Sequence, residues 1–292
     1  MLDRRTLWFY APGDSSRVLG RALALAVSRD ATQLDLVVDD GGGVAARRAG
    51  GLSLPIDVWR VDGTSLVAAA PQPLPEPRLP PPEAAPFIDM LRDAAVDVIV
   101  EHGTVSGEVR GLEVARLTTG DNGQLNLDVG VGRFDQEASA LLHGDEPPRD
   151  ALARAAAELR RHRHPGAAPH PVGRLARERW LRAQVLDDPT VIGLSLLEPV
   201  EPSAPRRNLR EPHPAAAFGC DDAGRRVLAV CSVGVDLELI PEAGDLVRRE
   251  QAERVVLVTP ARDQVAVQRS LAALLPVPTE FVAVEGEWST RT

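Results

Sequence analysis

The chain contains no lysine, so all 33 basic side chains among its 292 residues belong to arginine. This absence excludes the mechanisms that depend on a lysine amine. They include the phosphate-binding loop of P-loop NTPases, phosphoryl transfer of the protein-kinase type, Schiff-base and pyridoxal-phosphate chemistry, and nucleases with a catalytic lysine. Any permanent cation that recognises a ligand must therefore be a guanidinium group.

Aromatic residues make up only 3% of the chain, and cysteine occurs twice. So few aromatic rings provide little material for a base-stacking platform or a carbohydrate cleft. Two cysteines are too few for a disulfide framework, and Cys231 ends an apolar run, which is typical of a buried structural thiol.

The chain has a formal charge of −9 and an isoelectric point near 5.3. Long-range repulsion therefore argues against a general binder of nucleic acids or anionic membranes, and any anion site must be local. There is no apolar leader after Met1 and no apolar run of about 18 residues, so we expect no export and no membrane insertion, and a cytoplasmic location. The hydrophobic fraction of 44% is sufficient for a large buried core.

Both ends of the chain alternate strand-like and helix-like patterns. Residues 6–11, 34–38 and 56–61 read as strands with helical spacing between them, and residues 255–259 and 281–284 flank a helix predicted over 265–275. We therefore predict an α/β fold with parallel or mixed helix-covered sheets, an inserted β-hairpin and arginine-rich helices. Four matched identities between the two ends are compatible either with a duplicated module or with two examples of a common α/β unit.

Eight prolines between residues 71 and 86 predict a stiff, extended linker. The predicted organisation is a βαβαβ N-terminal module (1–70), this linker (71–86) and a larger α/β domain (87–292). The predicted hairpin lies around Asn122-Gly123, between strands expected at 107–117 and 125–131. A helix is expected over residues 136–142.

The segment 154–182 contains eight arginines and only two glutamates, although the chain as a whole is acidic. Its loop, residues 162–171, could direct several donors toward a phosphate beside the N-terminus of the following helix. A solvated helix face is the alternative, because Arg174, Glu178 and Arg182 have the spacing of intrahelical ion pairs. The predicted ligand-binding residues are Arg163, His170, Arg174, Arg177 and Asp236.

Asp236 belongs to this set because it follows an apolar strand, and ligands commonly bind at the carboxyl ends of parallel strands. It could equally terminate that strand. The loop histidines His162, His164 and His170 lack cysteine partners and a zinc-type spacing, so no metal site is predicted from them.

Carboxylates on predicted strands suggest a second chemistry. Glu101, Glu113 and Asp128 are the candidate catalytic residues of a phosphodiesterase that would use Mg²⁺ or Mn²⁺. Residues 111–116 are similar to the active-site strand of restriction-endonuclease-like nucleases, but they lack its lysine. The alternative is the ordinary alternation of a half-exposed hairpin.

Three stretches of the chain resemble conserved hypothetical proteins of actinobacteria: residues 108–114, residues 170–171 with 174–182, and residues 231–237. No activity is attached to those proteins, so the resemblance implies neither a reaction nor a site.

Three functional hypotheses follow from the sequence. The first is binding of a phosphate-bearing ligand, either a nucleotide or a nucleic-acid end, by the arginine and histidine loop. The second is a metal-dependent phosphodiesterase, and the third is a non-enzymatic scaffold or assembly protein. Whether the chain is an enzyme, which cofactor it uses and which oligomer it forms are left open, and no membrane partner is expected.

Overall fold

A computed structural model describes residues 5–13, 17–120, 122–131, 146–206, 208 and 211–289. It has an α/β fold, which confirms the predicted class. The helix expected over residues 136–142 lies outside the described residues. No helix of the described part is long and apolar enough to cross a membrane.

The described α-helices are α1 Leu19–Ser28, α2 Gly43–Ala49, α3 Ala85–Asp93, α4 Pro148–His162, α5 Arg177–Asp187, α6 Leu239–Glu250 and α7 Ala266–Ala272. The described strands are β1 Thr6–Ala11, β2 Gln33–Val38, β3 Ile56–Asp62, β4 Ser65–Ala68, β5 Asp97–Glu101, β6 Thr104–Val109, β7 Leu112–Thr119, β8 Leu125–Val129, β9 Leu196–Val200, β10 Ala215–Cys220, β11 Arg226–Cys231, β12 Arg254–Thr259 and β13 Thr279–Ala283.

The first sheet has the order β1-β2-β3-β4, in which β1, β2 and β3 are parallel and β4 returns antiparallel to β3. Its helix-facing side is apolar because alternate residues of a strand point to the same face. Leu34, Leu36 and Val38 of β2 are fully buried on that side. Helices α1 and α2 cover this face, and only this face is packed into the main hydrophobic core.

The last sheet has the order β13-β12-β11-β10-β9, with β11, β12 and β13 parallel. Its central strands are covered on both faces. Leu228 and Val230 of β11 pack with the residues of α6 and α7, whereas Val227 and Ala229 pack with those of α5. This two-sided burial explains the nearly continuous apolar run of β11 and β12.

The two terminal α/β units share one hydrophobic core. The same cluster of buried side chains contains residues of α1 and β2 from the first unit and residues of α6, β12 and α7 from the last. A side-chain carbon added to Gly20 would lie 2.2 Å from the carbonyl oxygen of Leu237, so glycine is required where α1 approaches the segment before α6. The units are therefore close-packed, although the proline-rich segment, strands β5 to β8 and helices α3 to α5 lie between them in sequence.

The division of the chain at residues 71–86 stays a prediction, and the shared core indicates what cleavage there should do. We expect a nick in this segment to leave both fragments associated in native buffer and to let them separate only in denaturant, because separation would expose the common core. Limited proteolysis followed by size-exclusion chromatography and denaturing electrophoresis would test this. A folded fragment beginning near Phe87 that elutes alone would contradict it.

The predicted hairpin is present as β7 and β8, within a four-stranded antiparallel sheet of order β5-β6-β7-β8. The expected strand over residues 107–117 is divided into β6 and β7 by a turn at Arg110 and Gly111, which have φ angles of 47° and 75°. Sequence pattern alone gave no sign of this turn, because apolar residues continue on both sides of it.

The similar ends of the chain form comparable units. β1 and β2 flank α1 and pair in parallel, and β12 and β13 flank α7 and also pair in parallel. Helix α7 is shorter than predicted, ending at Ala272.

Candidate functional site

The arginine-rich segment forms a loop between two helices. Helix α4 ends at His162, residues Pro171–Arg174 make one turn of 3₁₀-helix, and α5 begins at Arg177. Prolines at positions 165, 169 and 171 prevent α4 from continuing, since proline lacks the amide hydrogen that a helix interior needs. The loop therefore folds back beside the first turn of α5.

Arg163 is fully buried beneath this loop. Its guanidinium donates to the carbonyl oxygens of Arg110, Val172, Leu175 and Ala176 at 2.8–3.5 Å. These contacts use all of its N–H groups, and its charged carbon lies 4.3 Å from the centre of the Trp180 ring. Burial lowers the pKa of Arg163 to about 9. Its observed role is to hold the loop onto α5, and it has no donor left for a ligand.

His170 lies at the surface of the loop. Its ring stacks on that of His162, with centroids 3.8 Å apart, and its Nδ1 accepts the amide of Val172 at 3.4 Å. A neutral imidazole that accepts at Nδ1 carries its proton on Nε2, so Nε2–H remains as a donor.

A concave pocket of about 180 Å³ lies between the loop and α5. His170, Arg174 and Arg177 line it together with Trp180 and Glu287. Neither Arg174 nor Arg177 forms a hydrogen bond or an ion pair with another described residue, whereas most arginines of the described chain do. The structure thus brings three of the five predicted ligand residues to one pocket, in which two guanidinium groups form no ion pair with another described residue.

Asp236 does not line this pocket. It follows β11, as predicted, but its carboxylate pairs with Arg17 at 2.6 Å and accepts the amide of Glu238 at 3.0 Å. It belongs to a different group of charged side chains, at the start of α6.

The three candidate catalytic carboxylates are each bound to another side chain. Glu101 pairs with Arg179 and Arg182, and Glu113 makes a two-point contact with Arg116 at 2.9 and 2.6 Å. Asp128 accepts the hydroxyl of Thr118 at 3.0 Å. Among the described residues, no group of three histidine, cysteine, aspartate or glutamate side chains is placed to hold a metal ion. The structure does not assemble these residues into a metal centre.

A buried charge cluster that sequence reasoning missed lies between β6 and α5. Glu108 is fully buried and contacts both Arg179 and Arg182. Burial opposes its ionisation, but the two guanidinium groups outweigh burial and hold the pKa of Glu108 below its ordinary value. Arg179 and Arg182 belong to the arginine-rich segment, yet they point into the protein.

A second buried cluster joins α2 to α6. Asp245 receives two bonds from Arg47, at 3.0 and 2.9 Å, and one from Arg48 at 3.0 Å. Arg48 also reaches Glu238 and Glu242, each at 3.3 Å. Glu238, Glu242 and Asp245 are spaced i, i+4 and i+7, so they share one helix face. This spacing is the sequence pattern from which an acidic face on α6 could have been predicted.

Two further titratable groups lie near the first turns of α5 and α6, of which Glu178 is buried and His213 is half-buried. Burial raises the pKa of Glu178 to about 7, and Glu178 has no ion pair in the described part of the chain. Burial lowers the pKa of His213, against the attraction of Glu242, and so favours the neutral imidazole.

A larger cavity of about 420 Å³ lies under the proline-rich segment, between residues 71–77 and α6. Its three arginines are already engaged. Arg47 pairs with Asp245, Arg248 donates to the carbonyl of Arg47, and Arg249 binds Glu250 and the carbonyl of Glu201. This cavity therefore offers less free positive charge than the smaller pocket beside α5.

No protein-family model matches the chain, no curated protein is significantly similar to it, and no solved structure matches its fold at a significant level. The similarity to conserved hypothetical proteins of actinobacteria stays a prediction.

Proposed function

We propose that the pocket beside α5 binds the phosphate group of a phosphate-bearing ligand. The observation that carries the proposal is that Arg174 and Arg177 line the same pocket as His170 and have no partner of their own within the described chain. Guanidinium groups match phosphate oxygens in geometry and charge, and each can donate two parallel hydrogen bonds to them.

The position of Arg177 supports anion binding further. It is the first residue of α5, where unpaired amide groups and the helix dipole favour negative charge. The acidic residue of the lining, Glu287, accepts the amide of Gly166. The stacked ring of His170 adds a donor at Nε2.

The size of the pocket restricts what can enter it. Its volume of about 180 Å³ is below the ~300–1,000 Å³ of sites that enclose a complete small ligand. We infer that it takes a terminal phosphate, with the rest of the ligand outside. A nucleic-acid end or the terminal phosphate of a nucleotide meets this condition, and we place the protein in the cytoplasm, where both occur.

The expected result for the double variant Arg174→Ala, Arg177→Ala is a large loss of phosphate affinity. Each charged contact contributes on the order of 1.5–3 kcal/mol, so removal of one should weaken binding about 10- to 150-fold and removal of both should weaken it further. The probes are inorganic phosphate, AMP and an oligonucleotide with a 5′-phosphate, measured by titration calorimetry against the same oligonucleotide with a 5′-hydroxyl.

The matched control is Arg149→Ala, Arg161→Ala, which removes two exposed arginines that pair with Asp93 and Glu158. It lowers the net charge equally and should leave binding nearly unchanged. The proposal fails if no probe binds at millimolar concentration, or if the control loses as much affinity as the pocket variant.

A further inference from the structure

The first sheet has a face that nothing in the described chain covers. Trp8 and Tyr10 of β1 point to this face and are 57% and 58% exposed. On the other face of the sheet, Leu34, Leu36 and Val38 of β2 are fully buried against the helices. Parallel strands are normally covered on both faces, because crossover helices pack there. An uncovered face of three parallel strands with large exposed side chains is characteristic of an interaction surface.

The strand register sets an aromatic row across this face. Tyr10 lies opposite Val37, and Val37 lies opposite Trp59. The indole N–H of Trp59 donates to Asp35 at 2.6 Å, which fixes the orientation of the ring. With Trp8, two residues before Tyr10 on β1, this face carries three aromatic rings in a chain that has few.

A second row of this face is acidic. Trp8, Asp35 and Asp57 lie side by side on β1, β2 and β3. Asp39, just beyond β2, accepts the hydroxyl of Tyr10 at 2.6 Å. None of these carboxylates has an ion pair with another described residue, and the outward positions of β1 to β4 include no arginine. Asp39 and Asp57 are exposed and so accessible to a cation, whereas Asp35 is only 3% exposed and accepts the indole N–H of Trp59.

We propose that this open face binds arginine side chains of a partner protein. A guanidinium group can stack on an indole or phenol ring while it donates to a neighbouring carboxylate. This face offers that combination at Tyr10 with Asp39 and at Trp59 with Asp57, whose carboxylates are exposed. Two copies of the chain would bring their acidic rows together, so charge disfavours face-to-face self-association. A nucleic acid would be repelled for the same reason. The occupant is an extended, arginine-bearing protein segment.

The test uses a peptide of alternating arginine and glycine, with the same peptide containing citrulline or lysine in place of arginine. Binding is followed by the indole N–H resonances of the four tryptophans. Trp180 and Trp288 are buried against each other and serve as the internal reference. We expect the signals of Trp8 and Trp59 to shift with the arginine peptide, to shift less with the lysine peptide and to stay unchanged with the citrulline peptide.

Variants locate the contact. Trp8→Ala and Asp57→Asn should each weaken binding about fivefold, through loss of stacking and of charge respectively. Asp62→Asn is the matched control, since it removes the same charge from an exposed residue at the end of β3 and should have no such effect. Equal losses for Asp57→Asn and Asp62→Asn would overturn the proposal in favour of general attraction to an acidic protein. Absence of binding at millimolar peptide, with the buried tryptophan signals intact, would also overturn it.

Discussion

Replacing Asp245 with asparagine should lower the free energy of unfolding by about 3–5 kcal/mol. Asp245 is almost inaccessible to solvent and receives bonds from Arg47 and Arg48, both of which are also buried. Asparagine has the same shape but no charge, so the variant leaves two guanidinium groups in the interior with less compensation. The cost of an unpaired buried charge exceeds the net value of the intact pair, which is why the effect is large.

Urea denaturation at pH 7 measures this effect. The control is Asp89→Asn, because Asp89 pairs with Arg92 in an exposed i, i+3 contact at 3.2 Å. Such a pair contributes at most about 1 kcal/mol. Similar losses for the two variants would show that the α2–α6 cluster is as well hydrated as a surface ion pair. The double variant Asp245→Asn, Arg47→Met should recover part of the loss, because Asp245 is the only ion-pair partner of Arg47 among the described residues and the second change removes that cation.

Periodicity explains why the fold class could be predicted from the sequence. The alternation of Leu34, Leu36 and Val38 with more polar neighbours indicates a strand with one buried face, and the structure has that strand. The Asn122-Gly123 pair likewise predicted the hairpin of β7 and β8. Both signals are local, so they require no knowledge of the rest of the chain.

The open face of the first sheet was not predicted, although its residues were visible. Asp35 and Asp57 alternate with apolar residues on β2 and β3, a pattern that indicates one polar face. The βαβαβ order indicates a helix-covered sheet, but it does not indicate whether the helices cover one face or both. Which face a crossover helix occupies depends on how the units pack. In this protein, helices α1 and α2 lie in the same hydrophobic core as the last sheet and its helices α6 and α7.

The candidate site was predicted in part for a related reason. A dense run of arginines predicts positive charge, but it does not show which guanidinium groups pair with acceptors inside the protein. Arg163 donates hydrogen bonds to carbonyl groups of a distant turn and of its own loop. Arg179 donates to the carboxylate of Glu108 on β6. Arg174 and Arg177 remain free because no acceptor reaches them in the described structure. Hydrogen-bond partners that lie 50 or more residues apart are brought together by tertiary packing and not by local sequence pattern. Arg163 and the carbonyl of Arg110, 53 residues apart, are an example.

The variant Glu178→Gln should become more stable than the parent protein as the pH rises. Burial raises the pKa of Glu178 to about 7, from an ordinary value of 4.5. Between these two values the folded protein keeps a proton that the unfolded chain has released. The favourable contribution of the neutral carboxyl group is therefore complete below pH 4.5, falls as the pH rises toward 7, and is absent above that.

Glutamine reproduces the shape of the neutral acid and cannot ionise. At pH 4.5 the variant and the parent protein should have nearly equal free energies of unfolding, and at pH 8 the variant should be more stable by about 3 kcal/mol. Comparison of the two proteins at the same pH cancels the titration of every other group, so urea denaturation at both values isolates Glu178.

Glu83→Gln, which changes an exposed residue, should alter stability by no more than about 0.5 kcal/mol at either pH. An equal gain at pH 4.5 and pH 8 would contradict the prediction, because a packing effect does not depend on protonation. An unchanged stability at pH 8 would show that the ionised carboxylate of Glu178 reaches water or a cation in solution.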